Sequence, residues 1–339
     1  MSQKNRQILL ASRPEGEPTA DNFKLVESTL PTLEAGQVLV RHHYLSLDPY
    51  MRGRMSEAKS YATPQPLNKV MQGATVGEVV ESNNAFFKPG DKVLGMGGWQ
   101  EYALVDGGQR GVLQKVDTRQ VPLSAYLGAV GMPGVTGWYG LNKIIEARQG
   151  QTVLVSAASG AVGSVVGQLA KQRGCRAVGI AGGSEKCSYV VDELGFDACV
   201  DYRAHADLHS LSRALKEAAP DGIDGAFENV GGLLLDAALL HMNAFGRIAL
   251  CGLIAGYNGE PIPLQNPQLL LTSRLMVRGF IVSEHMEVWP EALKELGSLY
   301  AAGNLKTRES VANGLESAPL AFQGLLTGKN FGKQLVKLI

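Results

Sequence analysis

The sequence predicts an α/β protein of two domains, a doubly wound parallel sheet with helices on both faces and a compact β barrel-like domain. Three observations carry this prediction. A strand–glycine turn–helix unit, TVLVSAASGAVGSVVGQLAKQRG, stands mid-chain at 152–174. Strand and helix periods alternate after it, as in doubly wound sheets. Short β-branched runs separated by turn residues fill the first third of the chain. At 339 residues there is room for two separate cores.

In chain order, strand-like runs recur at 6–10, 37–45, 75–81, 92–96 and 101–105. Turn residues such as Glu34-Ala35-Gly36 and Lys88-Pro89-Gly90-Asp91 stand between them. From about Leu127 the period changes. Strands are predicted at 152–155, 176–181, 198–201, 225–229, 247–251 and 276–282, with helical stretches between. A helix over 318–327 and a strand over 334–338 close the chain, and that strand is expected to return to the first domain. The expected division is 1–128 with 308–339 as one domain and 129–307 as the other. No internal repeat or low-complexity linker interrupts it.

The mid-chain unit points to chemistry. Thr152 to Val155 suit a strand buried on both faces. Val162, Val165, Val166, Leu169 and Ala170 then form the apolar stripe of a helix packed on a sheet. Gly174 sits where a left-handed cap would stop that helix. Such a unit aims backbone N–H groups and a helix dipole at one spot, which suits a pyrophosphate. Gly160 and Gly163 match the later glycines of G-x-G-x-x-G, whereas Ala158 stands at the first. An NAD site places an acid about 20 residues on. This chain has Gly182 and Gly183 there, followed by Ser184 and Lys186, which favours NADP. The plainer alternative makes Ser184 the N-cap of a helix over 185–194 and Lys186 a solvated residue.

Composition excludes several classes. Net charge is zero, so neither nucleic acid nor an anionic membrane is indicated as a partner. The N-terminal apolar run is too short for a signal peptide, and no segment approaches a membrane span. The four cysteines, Cys175, Cys187, Cys199 and Cys251, form no C-x-x-C pair. They read as reduced thiols of a cytoplasmic protein.

Eight strings, in order, resemble the medium-chain dehydrogenase/reductase superfamily over nearly the whole chain. They are DPYMRGRM (48–55), AASGAVGSVVGQLAK (157–171), GSEK (183–186), LGFDACVDY (194–202), ENVGG (228–232), RIALCGLIAGYN (247–258), RGFIV (278–282) and GKNFGKQLV (328–336). Within it they resemble the zinc-independent branch of leukotriene/prostaglandin reductases and alkenal double-bond reductases, including bacterial curcumin reductase-like enzymes. The resemblance implies a GroES-like β-barrel catalytic domain, a Rossmann NADP-binding domain and a homodimer. Gly160, Ala161, Val162 and Gly163 would hold the pyrophosphate. Lys186 and Tyr202 would grip the 2′-phosphate, assisted by Ser184. Asn229, Cys251, Gly252, Leu253, Ile254 and Tyr257 would line the cofactor towards its nicotinamide. Phe280, Ile281 and Val282 would meet the carboxamide through their backbones, and Asn330 would cross to the cofactor. Read without the resemblance, Phe280 to Val282 are a buried strand and Asn330 a turn residue.

No metal is expected. The first domain lacks cysteine, and QGATVGEV stands at 72–79 in place of the zinc branch's Gly-His-Glu string. His42 and His43 are adjacent and face opposite sides of a strand. His205 and His209 are read as sharing a helix face, with no third ligand. Without a metal to polarise an alcohol, the expected chemistry is NADPH-dependent reduction of a double bond conjugated to an aldehyde or ketone, a small-molecule substrate. Tyr257, Tyr50 and Tyr61 are the candidate catalytic hydroxyls, because a tyrosine donates a hydrogen bond at neutral pH. Alternatively, Tyr50 and Tyr61 only shape an aromatic wall. Two other readings stay open: an NADPH:quinone oxidoreductase, and a non-catalytic NADPH-binding redox sensor.

Overall fold

The computed structural model describes residues 4–107 and 113–339. Its strands are β1 (Lys4–Leu10), β2 (Phe23–Thr29), β3 (Gln37–Ser46), β4 (Thr75–Ser82), β5 (Lys92–Gly95), β6 (Tyr102–Asp106), β7 (Leu113–Lys115) and β8 (Thr152–Ser156). They continue with β9 (Arg176–Ala181), β10 (Ala198–Asp201), β11 (Ile223–Glu228), β12 (Met242–Leu250), β13 (Met276–Gly279), β14 (Glu309–Asn313) and β15 (Lys333–Lys337). Two compact units contain them: Met1–Leu127 with Glu309–Ile339, and Gly128–Arg308.

The first unit is built on a sheet ordered β14-β15-β3-β4-β5-β7, with β6 also paired to β3. Two register shifts along the β3–β4 ladder bend this sheet. The final strand pairs antiparallel with β3 and parallel with β14, so the C-terminus completes the sheet begun near residue 37. A two-stranded ribbon, β1–β2, lies beside it. β2, β7 and β14 escape a reading by apolar alternation; β7 has three residues and β2 is largely exposed. At the centre of one core Phe23 stacks on Trp99 and Phe322 meets both rings edge-on, with Leu10, Leu45 and Met51 around them.

The second unit holds six parallel strands in the order β10-β9-β8-β11-β12-β13. The chain winds outward from β8 in both directions, the doubly wound arrangement. β8 is buried along its length, as its unbroken aliphatic run requires. The helix Gly163–Gln172 packs its Val165, Val166, Leu169 and Ala170 face inward, and Gly174 follows it at φ +76°. β13 is shorter than the predicted strand and exposed throughout. Leu271, Met276 and Val277 stand exposed at that sheet edge or just before it. Among the described residues no helix is long and apolar enough to cross a membrane.

Candidate functional site

The carboxyl ends of β8, β9, β10, β11 and β12 gather most of the residues the sequence singled out. After β8, Ala157 takes a left-handed conformation, φ +49°, rare outside glycine. The turn is held by Ala158 N–H to the Ile180 carbonyl (3.0 Å) and Gly160 N–H to the Ala157 carbonyl (2.9 Å). A Cβ at Gly163 would overlap the Ala157 carbonyl, so only glycine lets the helix start this close to the turn. At Gly160 a Cβ would meet nothing but that carbonyl, at 3.1 Å. The amides of Ala161, Val162 and Gly163 therefore stand at a helix N-terminus whose approach is open at Gly160.

One strand over, Gly182 carries the corner. A Cβ there would lie 2.9 Å from the Tyr202 ring and 3.0 Å from Arg203 Nε. The absent side chain makes room for a phenol and a guanidinium at one point. Gly183, at φ +99°, is the N-cap of the helix Ser184–Ser188, so Ser184 is the first helical residue and not the cap. The helical run continues through Glu193. Lys186 lies at the same corner, its ammonium pushed below the ordinary lysine range by burial and by Arg203. Asp201, at the end of β10, accepts from Gly183 N–H (2.7 Å) and Arg203 N–H (3.0 Å). A guanidinium and a phenol thus meet where an NAD-type acid is missing, with Lys186 under the influence of the guanidinium. Arg203 and Asp201 were not anticipated. Asp201 ends β10 and Arg203 follows it, and only strand order puts them beside Gly182.

The ends of β11 and β12 are stitched together. Asn229 follows β11 directly; its side chain donates to the Ser156 carbonyl and its N–H to Ser156 Oγ, both at 2.8 Å. Ser156 Oγ donates in turn to Glu228 (2.9 Å), which also accepts from Val230 N–H (2.6 Å) and Gly231 N–H (2.7 Å). Glu228 is 2% exposed, and burial pushes its carboxyl above the usual range against those three donors. The N–H groups of Cys251 and Gly252 both reach the Glu228 carbonyl, and that of Ile254 reaches the Asn229 carbonyl. Burial, with Glu228 nearby, pushes the Cys251 thiol up to about 12, so it is no thiolate nucleophile. Tyr257 turns its hydroxyl back on this loop, accepting from Leu253 N–H at 3.4 Å.

Phe280 packs on Tyr139 and Phe227, with ring centroids 5.3 and 6.2 Å apart. Ile281 lies past the end of β13, and the Val282 carbonyl accepts from Trp289 Nε1 at 3.2 Å. These residues form a bend after a strand, rather than a strand.

In the first unit, Tyr50 opens the short helix Tyr50–Arg54. Burial, then Asp48, push its hydroxyl above the usual tyrosine range, while Arg54, 5.1 Å over the ring, opposes them. The hydroxyl therefore stays protonated. Tyr61 is exposed. Asn330 donates from its side chain to the Gly332 carbonyl, a turn contact. His42 is buried and donates from Nδ1 to the Gln100 carbonyl, while His43 faces Glu78. His205 corrects an expectation: it ends the single turn Tyr202–Ala204 and precedes the helix Leu208–Ala218, so it shares no helix face with His209. The Asp207 cap between them breaks the helix there. Among the described residues no group of three His, Cys, Asp or Glu could hold a metal ion.

Comparison with known proteins agrees with this architecture. Residues 6–113 match the model for the N-terminal domain of oxidoreductases, and 161–298 that for zinc-binding dehydrogenases. The donor set for that second family's metal is not assembled among the described residues. The chain is 44% identical to the NADPH-dependent curcumin reductase of Escherichia coli, covering 99% of this chain and 97% of that one. It is 42% identical to the NADP-dependent 2-alkenal reductase of Nicotiana tabacum, covering 98% and 97%. The structure of CurA from Vibrio vulnificus in complex with NADPH superposes with a TM-score of 0.91 at 45% identity, over 98% of this chain and 99% of that one. The chain belongs to the medium-chain dehydrogenase/reductase superfamily, in its branch of curcumin and alkenal reductases.

Proposed function

We propose that this protein is a zinc-independent NADPH-dependent reductase of α,β-unsaturated aldehydes and ketones. That it is an NADP-dependent oxidoreductase acting on carbon–carbon double bonds follows from its relatives. The observation that carries the cofactor is the Gly182 corner, where Tyr202 and Arg203 close on a position without a side chain and Arg203 acts on the Lys186 ammonium. Gly160 to Gly163 offer amides to the pyrophosphate. Asn229 and the loop Cys251, Gly252, Leu253 and Ile254 would support the rest of the cofactor, with the Phe280–Val282 bend at its carboxamide and Asn330 beyond.

NADPH supplies a hydride to the β carbon of the substrate. The chain's own task is to stabilise negative charge on the carbonyl oxygen and deliver a proton to the α carbon. Tyr257 is our first candidate, because it is the one ionisable side chain on the Cys251–Asn258 loop apart from the inert Cys251 thiol. Tyr50, kept protonated, is the second, and Tyr61 the third. Zinc independence is supported by the sequence of the first unit, which has no cysteine and carries QGATVGEV at 72–79. Four free thiols suit a reducing, cytoplasmic setting. The exposed edge β13, with Leu271, Met276 and Val277, supports a homodimer built on that edge.

The test is NADPH oxidation, followed by absorbance, across alkenals, aryl enones, curcuminoids and quinones, with and without chelator. Turnover of enals or enones, unaffected by chelator, is expected. Turnover of quinones alone would support the quinone reductase reading, and NADPH binding without any turnover a redox sensor. One zinc per chain, with activity lost on its removal, would overturn the mechanism.

A further inference from the structure

We infer that Cys187 and Cys199 form a reversible redox modification site, a dithiol that closes to a disulfide and loosens the corner proposed for the 2′-phosphate. The effect on the cofactor rests on the reading above; the bond itself does not.

The two cysteines are not a motif in the sequence, but the fold brings them together. Cys199 lies in β10 opposite Gly179 of β9, and Cys187 on the helix that returns between those strands. Their side chains hydrogen-bond to each other, and both meet the backbone of Ala181. A Cβ at Gly179 would stand 3.2 Å from Cys199 Sγ, so the facing strand leaves space for that sulfur. Both thiols are only partly buried. The contact is asymmetric. The contact lowers the Cys187 thiol, and Cys199 is raised by that contact and by burial. Cys187, at the helix start, is the nucleophilic member in this proposal, with Cys199 already touching it.

With a peroxide as oxidant the step balances. The Cys187 thiolate attacks one peroxide oxygen, the O–O bond breaks, and hydroxide leaves a sulfenic acid. The Cys199 sulfur, giving up its proton, then attacks Cys187 Sγ. The S–S bond forms, the S–O bond breaks, and the oxygen leaves as water. The two sulfurs together lose two electrons, and the peroxide is reduced to water. A dithiol reverses the change by exchange.

The consequence comes from the neighbours. Cys187 directly follows Lys186, and Cys199 stands two residues before Asp201, which holds the Gly183 N–H. An S–S bond of about 2.05 Å is much shorter than a sulfur hydrogen bond, so closure draws the helix start towards β10. Lys186 and Gly183 move with it.

The experiment treats the full-length protein with hydrogen peroxide, maps its disulfides by peptide mass, and measures NADPH and NADH affinity before and after. Expected are a Cys187–Cys199 disulfide, with NADPH weakened by about 3- to 10-fold, part of the value of one charge-assisted contact. NADH should be nearly unaffected, and dithiothreitol should restore NADPH binding. Cys187→Ser and Cys199→Ser should each remove the peroxide effect. A mapped protein without that disulfide, or with Cys187 driven to sulfinic acid, overturns the inference. So does a disulfide that leaves NADPH affinity unchanged or weakens both cofactors equally. Equal NADPH and NADH affinity in the reduced protein would instead count against the 2′-phosphate corner, with the peptide map still deciding the modification.

Discussion

Three carboxylates are buried among the described residues, Asp48 in the first unit and Glu228 and Asp236 in the second, and Glu228 and Asp48 are used differently. In the parallel-sheet unit Glu228 accepts from Ser156 and two backbone N–H groups, and so shapes the turn after β11. In the first unit Asp48, 6% exposed, pairs with Lys333, 5% exposed, at 3.1 Å, and accepts from the Ser46 hydroxyl. Lys333 also donates to the Leu47 and Gln334 carbonyls, at 2.7 and 3.0 Å. That pair fastens the final strand to the segment leading into Tyr50. One carboxylate organises loops at strand ends, where open α/β sheets bind ligands; the other locks a chain crossing. Polar burial in the first unit therefore fastens a strand, and at the strand ends of the second it orders the loops proposed to hold the cofactor.

The largest expected effect tests the lock. Asp48→Ala leaves a buried ammonium unpaired and should cost about 3–5 kcal/mol. It should appear as a lower urea midpoint for the first unit, and replacing Lys333 by Met as well should recover much of it. A loss within 1 kcal/mol or so would show the pair to be ornamental.

Next comes acid sensitivity of the same unit. Burial holds His42 neutral, its value lowered to about 4 from 6.5. The unfolded chain takes up that proton first, so stability falls as pH drops through 6.5 and levels off near 4. The loss approaches about 3 kcal/mol. His42→Gln keeps a donor to Gln100 and should flatten the pH dependence of the urea midpoint across that window. An unchanged slope would assign acid sensitivity elsewhere.

At the strand ends, Lys186→Ala should weaken NADPH by about 10- to 100-fold, the value of one charge-assisted contact, and leave NADH nearly unchanged. Equal weakening of both would remove Lys186 from the 2′-phosphate. The smallest effect concerns the proton. Tyr257→Phe should lower kcat by about 100-fold or less, because solvent also protonates an enolate, with NADPH affinity preserved. Run beside Tyr50→Phe and Tyr61→Phe on one enone, an unchanged kcat in the first and a large fall in another would move the chemistry into the first unit.

How much was legible varies with how local the signal is. The β8 run, the glycine turn and the 163–172 stripe are each written in consecutive residues, and they appear nearly as read. Gly182 and Lys186 could be found by counting from Gly163. His205 was misread because Asp207, a helix cap, sits inside an apparent helical spacing. β2 was missed because its residues are mostly exposed and lack apolar alternation.

What the sequence alone determined are the elements and the preference for NADP: period, turn chemistry and a missing acid are properties of neighbouring residues. What only the tertiary structure decided are the partnerships. Arg203 beside Gly182, Ser156 beneath Glu228 and Cys187 against Cys199 all join residues from different strands or their flanks. The order β10-β9-β8-β11-β12-β13 makes them neighbours, and that order is set by how the whole sheet buries its two faces, which no local stretch of chain encodes.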